Sequence, residues 1–243
     1  MALKSASTVT KHSTRLMLWL LMIVYVFNYL DRQIVSILAE LIRKELNLSD
    51  TQIGLLTGLA FALFYAVLGL PIAKYADRPN TDRSKIIGLS VAIWSLMTAL
   101  SGLAVNFVQL LLARIGVGIG EAGCTPPAHS LIADRFPPNK RSGAMAFYAL
   151  GVPIGSLLGM VLGGLLADTI GWRHTLMLVG TPGLLLALLF VVLVKDGSRQ
   201  SINMPSAPPV QDDSVITSVR ILLRSRTLVV LCPSSGNLRL QAA

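Results

Sequence analysis

Four ionisable side chains stand inside long apolar runs, and they are where chemistry should be sought first. Asp31 and Arg32 lie in the run 16–38, and Arg114 and Glu121 lie in the run 107–127. An ionisable group near the middle of a membrane-crossing helix costs about 2.5–3.5 kcal/mol on insertion scales. Such groups therefore face a polar cavity or one another, and mark paths for protons, ions or polar substrates. Arg114, Gly118, Glu121 and Thr125 are spaced i, i+4, i+7 and i+11, which puts them on one helix face, and Asn28, Asp31 and Arg32 share a face of the first run. At 1.5 Å per residue, Asp31 lies ~22 Å along its helix from Leu16, and Arg114 lies ~10 Å along its own from Phe107. With the two helices running in opposite directions through a ~30 Å core, Asp31 and Arg114 are level and able to pair. Glu121 lies about 10 Å beyond Arg114, too far for that arginine to hold it closely. The spacing predicts a relay or binding role in preference to a static bridge. The alternative, that Asp31 and Arg32 end their helix among lipid headgroups, is opposed by Ile34, Val35, Ile37 and Leu38, which continue the apolar run.

The elements that position these groups are themselves apolar. The chain has 243 residues, of which 53% are hydrophobic and 14% charged, against about 25% charged in a soluble domain; its mean hydropathy is +0.66. Six segments, roughly 16–38, 52–73, 86–105, 107–127, 143–166 and 173–194, are near the ~20 residues a helix needs to cross the hydrocarbon. No ten-residue alternation of apolar and polar residues suggests a membrane barrel, and helices satisfy their own backbone in lipid. The expected fold is an all-α membrane protein, a bundle of six transmembrane helices, with the lipid bilayer as its partner.

The net charge of +9 would suggest nucleic acid in a soluble protein. Here no nucleic-acid-binding pattern accompanies it, and the basic residues follow topology. Lys4, Lys11 and Arg15 precede the first run. Lys74, Arg78, Arg83 and Lys85 lie between the second and third, and Arg135, Lys140 and Arg141 between the fourth and fifth. Lys195, Arg199, Arg220, Arg224, Arg226 and Arg239 follow the sixth. The intervening loops hold only Arg43, Lys44 and Arg173. By the positive-inside rule both termini are cytoplasmic, in a bacterial inner membrane or a plasma membrane.

Gly151, Gly155, Gly159 and Gly163 recur every fourth residue, as do the pairs Gly54/Gly58 and Gly116/Gly120. Small residues so spaced let helix backbones approach closely, and a seam that also holds Pro153 can bend or slide. Pro126-Pro127 should disrupt the inner end of the fourth helix. Cys124 and Cys232 are far apart and give neither a disulfide framework nor a zinc site. His129 and His174 have no metal-ligand company. The chain has no nucleophile elbow, HExxH or phosphate loop, so no catalytic residue, metal or cofactor is assigned and an enzyme is not expected.

The segment Ala73-Lys-Tyr-Ala-Asp77-Arg78, followed by Arg83 and Lys85, resembles the motif between helices 2 and 3 of the major facilitator superfamily. It departs at Ala73, where a glycine is usual, and at Pro79-Asn80-Thr81-Asp82. Arg114 with Gly118 resembles the family's helix 4 motif, the glycine seam its helix 5 motif, and Gly171-Trp172-Arg173 the turn before helix 6. More narrowly, Asn28-Tyr29-Leu30-Asp31-Arg32 and Arg114-Ile-Gly-Val-Gly118-Ile-Gly-Glu121-Ala122 resemble the Spinster-like branch. The resemblance spans about residues 15–230 and implies the N-terminal half of a twelve-helix fold, with Asp77, Arg78 and Arg83 in a gating motif. It also implies proton coupling through Asp31 and Glu121. Arg114 would tune them or hold an anionic group, and Asn28, Tyr29 and Arg32 would line the substrate and coupling path.

The expected organisation is a cytoplasmic lead at 1–15, a six-helix domain at 16–194, a linker with a short amphipathic helix at 195–226, and an aborted seventh helix with a divergent tail at 227–243. The expected function is secondary active transport of a small organic or amphipathic solute by proton-coupled alternating access. The alternatives are a truncated half-transporter without independent activity and, less favoured, a membrane-embedded enzyme or sensor. A functional half would work as a homodimer.

Overall fold

The computed structural model describes residues 2–78 and 81–196. The expectations for Pro79-Asn80 and for the linker and tail beyond residue 196 lie outside the described residues. Among those described, every regular element is a helix. They are α1 (Ala2–Leu46), α2 (Asp50–Gly54), a π-helical turn (Leu55–Leu59), α3 (Ala60–Ala76), α4 (Arg83–Ser101), α5 (Phe107–Ala122), α6 (Thr125–Arg135), α7 (Pro138–Ala149) and α8 (Gly151–Leu193).

Local chemistry explains the ends. α1 outlasts its apolar run because Arg43 and Lys44 reach back to Glu40 at 2.9 and 3.4 Å, supporting one more turn. It stops at Asn47, whose φ of 50° enters the left-handed region that asparagine tolerates. Ser49 and Gln52 then form a reciprocal capping box for α2. Asp82 accepts from Lys85 N to start α4, and Asn106 accepts from Gln109 N to start α5. The disruption expected at Pro126-Pro127 is present: α5 ends at Ala122, and the prolines occupy the first turn of α6, where a missing N–H costs nothing. Thr125 therefore belongs to α6 and does not extend the helix carrying Arg114 and Glu121.

Five continuous helical stretches are long and apolar enough to cross a membrane: Ser13–Leu46, Asp50–Ala76, Arg83–Ser101, Phe107–Arg135 and Pro138–Leu193. The expected count of six separate helices is thus corrected to five. No loop separates the last two apolar runs, and the final stretch is 56 residues long. Within α8 the one residue with non-helical backbone angles is Gly171, at φ 74° and ψ 166°, the first residue of the Gly171-Trp172-Arg173 segment. The chain doubles back at this glycine. Before it, Gly151, Gly155, Gly159 and Gly163 pack in order along α1 from Met22 to Ile37, so that arm runs parallel to α1. After it, Gly180 lies on Ser95 and Ala99, and Val191 lies beside Gly88, so the second arm runs antiparallel to α4.

The reversal gives the bundle two faces. At one, Arg83 at the start of α4 meets Asp134 on α6 and Asp196 after α8. At the other, Glu45 at the end of α1 meets Trp172 and Arg173 after the break, and Arg173 donates to the carbonyls of Gly102 and Ala104. Arg83, Arg135 and Lys195 share the first face, and Arg43 and Arg173 lie at the second.

The glycine seam is a close approach of backbones. A Cβ on Gly159 would stand 2.8 Å from both Leu30 O and Gln33 Cβ, whereas one on neighbouring Gly164 would meet nothing within 4 Å. Gly159→Val should therefore destabilise the detergent-solubilised chain by ~1–3 kcal/mol through overpacking, while Gly164→Ala should leave stability unchanged or raise it by up to about 1 kcal/mol. Thermal unfolding midpoints of the two variants check this. Gly116 and Gly120 also pack tightly, against Met97 and Trp94, but Gly54 and Gly58 face open space, so the close packing expected there is absent.

Candidate functional site

Two ion pairs cross between α1 and α5. Arg114 Nη1 lies 3.8 Å from Asp31 Oδ2, and both side chains are 3% exposed. Arg32 places Nε and Nη2 each 2.7 Å from Glu121 Oε2; Glu121 is 0% exposed and Arg32 29%. The level pairing of Asp31 with Arg114 is the one that the depth estimates allow. The second pair was not expected. Glu121 is indeed too deep for Arg114, but the neighbour of Asp31 reaches it. An arginine stem bridges more than a helical turn, so two adjacent residues on α1 serve two sites seven residues apart on α5. The adjacent acidic and basic residues at 31 and 32, set against the reversed order at 114 and 121, were the available signal.

Each carboxylate is half satisfied. Asp31 Oδ2 accepts from Thr98 Oγ1 at 2.7 Å, but Oδ1 has no hydrogen-bond partner. Glu121 Oε2 takes both contacts from Arg32, and Oε1 has none. Arg114 Nε and Nη1 and Asn28 Oδ1 are also buried without hydrogen-bond partners. Buried polar atoms are nearly always paired, and exceptions gather where function requires them. Thr98 on α4 was not singled out by sequence, since a hydroxyl on an apolar helix has many ordinary uses.

Aromatic rings surround Arg32. Its guanidinium carbon lies 4.7 Å from the ring centroid of Phe61, 4.9 Å from that of Tyr65 and 5.3 Å from that of Tyr29. Tyr29 also stands edge-on to Tyr25, which stacks on Tyr148. The expected path residues Tyr29, Arg32 and Arg114 are therefore brought together with Asp31 and Glu121, and Asn28 is buried one turn before Asp31 on α1.

The motif residues between α3 and α4 are not gathered in this way. Asp77 and Arg78 are exposed at the end of α3, with Arg78 over the ring of Tyr75 at 5.4 Å. Arg83 is buried elsewhere. Its Nε and Nη2 donate to the two oxygens of Asp196 at 2.9 and 3.0 Å, and its Nη1 donates to Asp134 at 2.6 Å and Ser130 at 2.9 Å. Asp134 and Asp196 escaped the sequence reading because only the basic residues of those boundaries were weighed. Among the described residues no group of three histidines, cysteines or acids is placed to hold a metal ion.

A multi-pass helical bundle with paired charges at its centre narrows the choice of family, and the family described as Major Facilitator Superfamily matches residues 21–238. The chain belongs to the major facilitator superfamily. It is 38% identical over 211 residues to an MFS-type efflux pump of Mycolicibacterium smegmatis, a match covering 87% of this chain and 48% of the pump. It is 33% identical over 217 residues to a probable L-galactonate transporter of Escherichia coli, covering 86% of this chain and 47% of that one. Its fold matches a crystal structure of a bacterial homolog of the human lysosomal transporter Spinster, with a TM-score of 0.76 and 37% identity over 88% of this chain and 50% of that one. The Spinster-like resemblance of the segments at 28–32 and 114–122 stands, and this major facilitator chain is a multi-pass membrane protein. It spans about half the length of the curated relatives it matches.

Proposed function

We propose that the chain is the N-terminal half of a secondary transporter that moves a small organic or amphipathic solute by alternating access, with both ends of its transmembrane domain cytoplasmic. Protons bound at Asp31 and Glu121 drive it. The observation that carries this reading is the half-satisfied state of the two buried carboxylates. One oxygen of each is held by a neighbour, and the other, buried and without a partner, is free to accept a proton. A carboxylate that exchanges its arginine for a proton changes the attraction between α1 and α5. Relative movement of those helices is then linked to protonation. Arg114, held only loosely at 3.8 Å and carrying two unpartnered nitrogens, suits an anionic group of the solute. The residues of this site bind, hold and release; the reading assigns no enzyme, cofactor or metal.

Reconstitution in liposomes with an imposed pH gradient tests the proposal. Proton-driven solute movement should fall at least tenfold in Asp31→Asn and in Glu121→Gln. Transport that both substitutions leave intact overturns the proton assignment.

A second reading is favoured by the span of about half the relatives' length. In it the chain folds but has no transport activity of its own. A strict monomer by mass that does not transport supports it.

A further inference from the structure

We infer that Phe61 and Tyr65 are positioning residues that hold Arg32 on Glu121, so that the state of this ion pair follows the position of α3. The inference rests on the reading of Arg32–Glu121 as a coupling pair. Three rings approach the Arg32 guanidinium, and two of them, Phe61 and Tyr65, come from α3. Tyr29 is carried by α1 itself and travels with Arg32. The faces of Phe61 and Tyr65 supply the attraction that a desolvated guanidinium finds in aromatic rings. Phe61 also lies 5.9 Å from the Arg114 guanidinium, so one ring touches the cations of both pairs.

The sequence of α3 explains why these two residues point inward. Phe61 and Tyr65 are four apart and share a face, while Leu59, Leu63, Val67 and Leu70 are exposed on the other side. Leu56, the buried residue of the π turn, and Phe61 are five apart. In an unbroken α-helix that separation would rotate Phe61 about 140° away from Leu56. The π turn at Leu55–Leu59 absorbs the extra residue, as such turns do at functional positions. α3 is also tied close to α5, because a Cβ on Gly118 would stand 3.0 Å from the Phe61 carbonyl. The helix that covers Arg32 thus leans on the helix that carries Glu121. Displacing α3 strips two of three rings from the cation and loosens the pair without touching either charged residue.

The test reads Arg32 directly. The full chain in detergent is labelled with an arginine-specific dicarbonyl reagent, and each arginine is quantified by peptide mass spectrometry. Phe61→Leu keeps an apolar side chain but removes the ring face, and should raise Arg32 labelling about fivefold. Tyr65→Leu should raise it similarly. Phe61→Tyr restores a ring and should stay within about twofold of wild type. Glu121→Gln, which releases Arg32 in any case, is the positive control. Arg83, buried at the far face, reports folding: a variant that exposes Arg83 is set aside, and the other leucine variant decides. Arg32 labelling within twofold of wild type in a leucine variant with Arg83 protected overturns the inference. So does an equal rise in Phe61→Tyr. Because all variants are labelled at one fixed pH and labelling does not depend on transport, failure here leaves the proton reading standing. Equally, a transport result that removes the proton reading leaves the labelling result intact.

Discussion

Arg83→Ala should lower the stability of the solubilised chain by about 3–5 kcal/mol, the range for breaking a buried ion pair by removing one partner. Arg83 closes three elements at one face. It holds Asp196 through two parallel bonds and through its own backbone N–H at 2.9 Å, and it reaches Asp134 and Ser130 on α6. The Asp196 side chain is 3% exposed. Without the guanidinium that carboxylate is stranded, and the end of α8 loses its tether to α4. Arg83→Lys should recover only part of the loss, since an ammonium cannot reproduce the fork that meets both oxygens of Asp196. Chemical denaturation of the three proteins in one detergent gives the comparison. A loss within about 1 kcal/mol for Arg83→Ala would mean that the network is ornamental to the fold.

Arg32→Met should cost a similar amount, about 3 kcal/mol, because it leaves Glu121 buried with neither oxygen held. Glu121→Leu leaves Arg32 with an outlet, since that side chain is 29% exposed and can turn toward solvent; its cost should be smaller. The double variant Arg32→Met/Glu121→Leu should be more stable than Arg32→Met alone, because replacing both partners by apolar groups removes the stranded charge. The double-mutant cycle then returns a coupling energy well above the ~0.5 kcal/mol expected of independent sites. Additive losses would show that the two side chains are neighbours without being partners.

Much of this arrangement is legible in the sequence because lipid imposes simple rules. Apolar runs, loop charges and the level of Asp31 with Arg114 each follow from one length scale, the thickness of the hydrocarbon. The Arg32–Glu121 pair is not legible by the same means. Depth along a helix locates a backbone, and an arginine side chain reaches beyond its own level by more than a turn. The partners of Arg83 are hidden for a different reason. Asp134 and Asp196 lie 51 and 113 residues from it, and only the packing of α4 against α6 and α8 brings them together. The reversal at Gly171 is legible as the gap between the segments 143–166 and 173–194, with Asp168 and Arg173 beside it; what is not legible is that helix continues right up to the glycine on both sides. The aromatic cover over Arg32 depends on one π turn, which shifts the inward face of α3 by a single residue and leaves the apolar pattern nearly unchanged.

The central claim is that Asp31 and Glu121 bind and release protons inside the bundle. Infrared difference spectroscopy of the purified chain across a pH titration reads carboxyl protonation directly. Proton coupling through this site requires a carboxyl signal that changes with pH and that loses one component in Asp31→Asn and another in Glu121→Gln. A pH-dependent carboxyl spectrum that neither substitution alters would contradict it.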